Sequence, residues 1–188
     1  MELQGERLIP ASLDQTWQAL NDPDVLKACI AGCESLERAG NNEFLAVVAA
    51  RVGPVSARFK GSLQLSDVQP PHSYTLHFDG QGGAAGYGKG SADVSLAAEG
   101  EEQTRLRYVA RAQVGGKMAQ VGSRLIDAAA AKIAEDFFKA FEARLRPATA
   151  GELIVVEPAA EQEQASAKTM WWLIAALIAL AALYFWIR

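Results

Sequence analysis

The chain opens on a two-residue alternation. Leu3, Gly5, Arg7 and Ile9 face one way and Glu2, Gln4, Glu6 and Leu8 the other, which predicts a strand ended by Pro10. Ser12 followed by Gln15 fits a capping box for a helix over residues 13–20, where Leu13, Trp17 and Leu20 share a face. Asp22-Pro23 then starts a second short helix, because Asp caps well and Pro suits a first turn; it runs to about Cys29 and stops at Gly32. From Ser35 the period returns to two. Residues 35–39 and 43–52 flank Gly40-Asn41-Asn42, a hairpin signal, and Gly53-Pro54 marks the next turn. Val55, Ala57, Phe59, Gly61, Leu63 and Leu65 then alternate with polar neighbours until Pro70-Pro71. Tyr74, Leu76 and Phe78 make another strand; a glycine-rich stretch follows over residues 80–90; Ala92, Val94 and Leu96 resume the alternation. Residues 104–114 close the series with Leu106, Tyr108, Ala110 and Ala112 on one face, for about seven strands in all.

The last element of this region predicts a long helix over about residues 116–145. Met118, Val121, Leu125, Ala129, Ile133, Phe137, Phe141 and Leu145 recur at three- and four-residue spacing, and charged residues take the other side. The order is strand, two short helices, six strands, long helix. That is an α+β layout: a curved seven-stranded antiparallel sheet with its helices on one face, a helix-grip fold. A cavity between such a sheet and its helix is where small apolar ligands bind.

A different pattern governs the C-terminal residues. Residues 170–187 (MWWLIAALIALAALYFWI) carry no polar side chain apart from the Tyr184 hydroxyl. At helical rise they would span about 27 Å, close to the hydrocarbon thickness of a bilayer. Trp171 and Trp172 at one end, and Tyr184 and Trp186 at the other, sit where an aromatic belt is expected at the two membrane interfaces. Residues 147–169, rich in Ala, Pro and Glu, read as a flexible acidic linker. The expected organisation is therefore a globular domain over residues 1–146, a linker over 147–169 and a single-pass transmembrane tail anchor over 170–187. The N-terminus has neither a basic start nor an apolar core of an export signal. The domain is accordingly expected in the cytoplasm, held at the cytoplasmic membrane, with Arg188 outside.

Charge narrows the function. Residues 1–146 hold sixteen Lys and Arg against eighteen Asp and Glu, so the domain is near neutral and offers no electrostatic footprint for nucleic acid. Cys29 and Cys33 are four apart, but a metal site needs about four ligands, and His72 and His77 lie elsewhere in the sequence. Buried thiols at a helix end are the expectation, with no metal site. The glycines of residues 80–90 lack the lysine and hydroxyl ending of a phosphate loop and precede a strand, which favours a bent hairpin. Neither histidine stands beside a nucleophile or acid motif, so no catalytic residue is assigned.

The candidate ligand site instead follows the cavity. Met118, Val121, Leu125 and Ala129 are its expected helix wall, narrowing to small residues at Ala119, Gly122 and the alanines of residues 128–131; Trp17 and Phe59 are further walls. Gly115 and Gly116, with Lys117 beside them, place free backbone N–H groups near the cavity mouth, where a carbonyl or quinone oxygen would be held.

Several segments together resemble a known family. They are Trp17–Pro23 (WQALNDP), Cys29–Cys33 (CIAGC), Val52-Gly53-Pro54-Val55, the glycine-rich stretch, and residues 114–122 (VGGKMAQVG) with Arg124-Leu125-Ile126-Asp127. In order and spread over the whole domain, they make the chain similar to the CoxG family of carbon monoxide dehydrogenase, within the helix-grip superfamily of START-like and polyketide-cyclase-like proteins. Ala31 departs from the pattern, where the family usually has proline. The resemblance implies a non-catalytic accessory protein. Its partner would be a molybdenum-containing carbon monoxide dehydrogenase or a related molybdenum hydroxylase, held at the cytoplasmic membrane beside the quinone pool. No cofactor is required on this reading; quinone is a candidate bound ligand, and membrane lipid a further partner. The alternatives are a lipid- or polyketide-modifying enzyme of the same superfamily, or a chaperone for cofactor maturation.

Overall fold

The computed structural model describes residues 1–146. The chain divides after Ala148, and the first unit is the one described. The expected linker (147–169) and transmembrane segment (170–187), with Trp171, Trp172, Tyr184 and Trp186, lie outside the described residues. Among the described residues no helix is long and apolar enough to cross a membrane.

The elements follow the expected order. They are β1 (Glu2–Ile9), α1 (Leu13–Leu20), α2 (Pro23–Cys29), β2 (Cys33–Gly40), β3 (Glu43–Val52), β4 (Val55–Gln69), β5 (Ser73–Gln81), β6 (Tyr87–Ala98), β7 (Thr104–Gly115) and α3 (Ser123–Leu145). The strands form one antiparallel sheet in the order β1-β7-β6-β5-β4-β3-β2. Local chemistry sets the helix starts. The Ser12 side chain accepts from the Gln15 N–H at 3.4 Å, while Gln15 reaches back to the Ser12 N–H at 3.2 Å. Asp22 accepts from the Asp24 N–H at 2.8 Å, with Pro23 next in the first turn. Each bond satisfies an amide that the helix itself leaves free.

The glycine-rich stretch is the expected bent hairpin: β5 runs into it, a 3-10 turn spans Gly83–Ala85, and β6 begins at Tyr87. Pairing continues through it, with Gly80 opposite Gly88 and Phe78 opposite Gly90. Glycines carry no side chain to mark an alternation, so the strand is invisible to pattern although its ladder is intact. One element differs from the sequence expectation: the long helix starts at Ser123 rather than near residue 116. Gly116–Val121 is a 3-10 turn, with Gly116 at φ +75° and Gly122 at φ +95°. Neither angle belongs to a right-handed helix, and only glycine adopts them cheaply. A Cβ on Gly116 would lie 2.5 Å from the Gly86 Cα, so the two glycine segments pack backbone to backbone.

The face of α3 turned to the sheet is Ala130, Ile133, Ala134, Phe137, Phe138 and Phe141. Ile133, Phe137 and Phe141 belong to the expected series, whereas its earlier members Leu125 and Ala129 do not face the sheet, because a four-residue spacing drifts by about 40° a step around a 3.6-residue helix. Leu125 is 49% exposed. The only fully buried residues of α3 are Phe138 and Phe141, both in its C-terminal half. They join Ile9, Leu20, Leu36, Phe44, Leu65, Leu96 and Leu106 in one core. Phe137 stacks on Phe141, and Tyr108 on Phe138, at centroid distances of 5.7 and 5.1 Å. The helix is thus bolted down at its C-terminal end.

On the outer face, charge ties the edge strand β1 to β7. Glu6 pairs with Arg105 and Arg107, and Arg111 with Glu2. The Arg107 hydrogen bond, then Arg105, hold the Glu6 carboxyl below its ordinary range. Such exposed pairs set register more than stability.

Because α3 completes its packing at Leu145, a chain ending at Ala148 is expected to fold by itself and to stay in solution. Far-ultraviolet circular dichroism with membrane fractionation checks this. A shortened chain that still pellets with membranes contradicts an anchor in residues 170–187.

Candidate functional site: an apolar chamber under the last helix

The bolted end of α3 and its alanine-rich half make different contacts with the concave sheet. Where Phe138 and Phe141 fill the space, the core is closed. Where Ala130 and Ala134 face the sheet, a cavity of about 470 Å³ remains. That is within the size range of small-molecule sites. Leu63, Leu65, Leu76 and Phe78 line it from β4 and β5; Ala92, Val94, Leu106 and Ala110 line it from β6 and β7. Leu20 of α1, with Leu26 of α2 and Ile30 just after it, closes a side wall. Ile133 lines the chamber yet is 51% exposed, so the chamber opens beside it.

The lining is almost wholly hydrocarbon. Tyr74 and Tyr108 are its only residues with a polar side-chain atom. Tyr108 stacks on Phe138 and reaches across Gly5, its partner on β1: a Cβ on Gly5 would lie 2.6 Å from the Tyr108 hydroxyl. Tyr74 is 7% exposed, and burial pushes its phenol far above the ordinary range. It stays a neutral hydroxyl at any physiological pH. Among the described residues, no carboxylate, amine, imidazole or thiol lines the chamber. It can hold an apolar body by burial, and it can offer a neutral hydroxyl, but it presents no proton-transfer pair.

The ten residues assigned from sequence fall elsewhere. None is among the residues lining the chamber. Trp17 stands one layer behind it, edge-on to Tyr74 at 5.7 Å. Phe59 lines a smaller apolar hollow of about 240 Å³ with Leu63 and Phe78, two residues it shares with the chamber wall. Gly115 and Gly116 are occupied by backbone packing against Gly86. Lys117 is exposed, Met118 is buried, Val121 is half-buried and Gly122 is the helix break. Leu125 is exposed and Ala129 half-buried, both off the chamber side because a row at four-residue spacing drifts by about 40° a step around α3. Sequence reasoning named Ala130 within the small-residue run 128–131 but missed Ala134, Ala92 and Ala110. Small residues at inward positions were the available signal, and the drift of a four-residue spacing around the helix hid it.

Other candidates carry less chemistry. A wide groove of about 890 Å³ on the outer face is lined by Glu2, His77, Asp79, Lys89 and Arg111. Its Arg111 lies 3.5 Å from Glu2 and 3.6 Å from Asp93. Ser66 Oγ lies 2.9 Å from His77 Nε2, but Asp67 binds the serine rather than orienting the imidazole. A nucleophile needs its base held by a third group. The Cys29 thiol is buried, and burial raises it and Cys33 above the ordinary range, which disfavours the reactive thiolate. Cys33 donates instead to the Ser35 carbonyl at 3.4 Å. Among the described residues, no three His, Cys, Asp or Glu side chains gather in a metal-binding group.

A curved antiparallel sheet closed by a C-terminal helix, with an apolar chamber between them, is the START-like fold. It is shared with a START superfamily protein from Mycobacterium smegmatis (TM-score 0.59, 14% identity, 77% of this chain and 96% of that one). The Zhui aromatase/cyclase from Streptomyces sp. R1128 also has it (TM-score 0.58, 12% identity, 77% and 93%). A conserved protein from Geobacillus kaustophilus matches at TM-score 0.72 and 30% identity, over 77% of this chain and 95% of that one. No curated protein matches the sequence. The family model for CoxG of carbon monoxide dehydrogenase matches residues 5–146, and the chain belongs to that family.

The chamber predicts how filling it behaves. Ala134→Leu places three further carbons into empty space and is expected to stabilise the fold by about 2 kcal/mol, since each buried methylene is worth roughly 0.8 kcal/mol before the side-chain entropy lost on ordering. The same change is expected to abolish uptake of a neutral apolar fluorophore such as N-phenyl-1-naphthylamine. Thermal unfolding and fluorescence titration check both. A destabilised variant that still takes up the fluorophore contradicts the chamber.

Proposed function

We propose that the protein is a non-catalytic accessory component of a molybdenum-containing carbon monoxide dehydrogenase, or of a related molybdenum hydroxylase. It recruits the enzyme to the cytoplasmic membrane and carries a quinone, or a similar apolar ligand, in the chamber under α3. The observation that carries the reading is the chamber itself: ligand-sized, nearly all hydrocarbon, and without an acid–base pair in its lining. Burial of apolar surface, at about 25 cal/mol per Å², is the force available to draw such a ligand out of a bilayer. Family membership supports the partner. The apolar run of residues 170–187 supports the membrane, with the domain on the cytoplasmic side. A quinone held near the surface of the enzyme would accept its electrons and return to the respiratory chain.

An enzyme of the same fold would need a proton donor and acceptor set against the ligand. The chamber offers two tyrosine hydroxyls and no second titratable type, which favours carriage over conversion.

Deleting the gene is expected to leave dye-linked activity of the dehydrogenase in the soluble fraction intact, while membrane-bound, quinone-linked activity falls. Activity assays on the two fractions check this. Loss of the soluble dye-linked activity itself contradicts the recruiting role and favours maturation.

A further inference from the structure

Among the described residues neither tyrosine hydroxyl of the chamber has a hydrogen-bond partner, and Tyr74 is the more deeply buried of the two. It sits second in β5, opposite Val94, with Trp17 against its ring. Tyr108 occupies the same cross-strand row, two strands away, because Val94 pairs with both. Its ring leans towards β1 over Gly5 and away from Tyr74. The Tyr74 side chain is 7% exposed and borders the empty volume, and burial alone shifts its phenol, with no hydrogen bond opposing. Buried hydroxyls are nearly always hydrogen-bonded, because losing water without a replacement is costly. A hydroxyl that faces a ligand-sized void points to a ligand oxygen as its missing partner.

The remaining lining says what kind of oxygen. A carboxylate or phosphate would bring a charge into a chamber without a cation in its lining. The fitting partner is a neutral oxygen on an apolar body. Direction follows from β5. Tyr74, Leu76, Phe78 and Gly80 share its concave side, and six residues of strand cover about 20 Å. Beyond Phe78 lies the smaller hollow, where Gly61, Gly80 and Gly88 align across three strands. Around Gly80 there is room: the nearest atoms to an added Cβ lie 3.8 and 3.9 Å away.

We propose that Tyr74 anchors the oxygen-bearing end of the ligand through its hydroxyl, and that the hydrocarbon part runs along β5 past Phe78 to the glycine-floored hollow at Gly80. This rests on the chamber being a ligand site, as in the proposed function. It adds the residue that orients the ligand and the chemical class admitted, a neutral carbonyl or hydroxyl compound with an extended apolar tail.

Matched probes test it. The full chain in lipid discs, with empty discs as the partition blank, is titrated with 2-methyl-1,4-naphthoquinone and with 2-methylnaphthalene, which has the same outline and no oxygen. Both are expected to bind. Tyr74→Phe keeps the ring and is expected to weaken the quinone by about three- to ten-fold, the worth of one neutral hydrogen bond, and to leave the hydrocarbon unchanged. Gly80→Leu is expected to weaken a naphthoquinone bearing a long alkyl chain and to spare the short one. In the unaltered protein, the carbonyl stretch of bound quinone is expected at lower frequency than in hexane, which keeps the test open should Tyr74→Phe not fold. Equal quinone affinity in Tyr74→Phe, or a hexane-like carbonyl stretch, overturns the anchor. A Gly80→Leu variant that binds the long-chain compound normally overturns the direction. If neither probe binds the unaltered protein, the chamber is not a ligand site, and the proposed function fails together with this inference.

Discussion

Everything distinctive about this domain depends on a gradient of side-chain size along one helix. α3 lies over a concave sheet, and a concave surface leaves volume that only large side chains fill. Phe137, Phe138 and Phe141 fill it at the C-terminal end; Ala130 and Ala134 do not fill it further back. Protein interiors are normally packed to crystal-like density, and an empty apolar volume costs stability because its lining lacks contacts on one side. The aromatic end compensates: Phe141 is completely buried, Phe137 stacks on it, and Phe137 in turn meets Phe138 edge-on. One half of the helix holds the fold while the other half leaves room.

The same division explains the glycines. Gly116 and Gly122 interrupt the chain before α3, so that the helix starts at Ser123. Gly80, Gly88 and Gly90 remove side chains from the floor where the sheet would otherwise meet the helix. At Gly90 a Cβ would meet the Phe78 ring at 2.7 Å, so the glycine also makes space for an aromatic wall. Volume is thus removed from both layers at one end of the grip.

How much of this the sequence disclosed depends on the element. Alternation located β1, β3, β4 and β7, and cap chemistry located α1 and α2, because each rests on contacts within a few residues. The antiparallel order followed from short connections. What stayed hidden needed positive backbone angles or pairs distant in sequence. A four-residue spacing followed too far drifts around the helix, so Leu125 and Ala129 were read on the wall that Ala130 and Ala134 form. Gly115 and Gly116, read as free donors, are packed against Gly86, more than twenty-five residues away in the chain. Tyr74 was legible as an inward strand position, but its isolation in a hydrocarbon lining emerges only when the neighbouring strands are placed around it.

The central claim is that the chamber exists to be occupied by an apolar ligand. Native mass spectrometry of the full chain, released gently from lipid discs, reads it directly. The account predicts a population heavier than the bare chain by the mass of one quinone or similar neutral lipid, and the disappearance of that population in Ala134→Leu. A bare-chain mass alone, from cells with a full quinone pool, would contradict it.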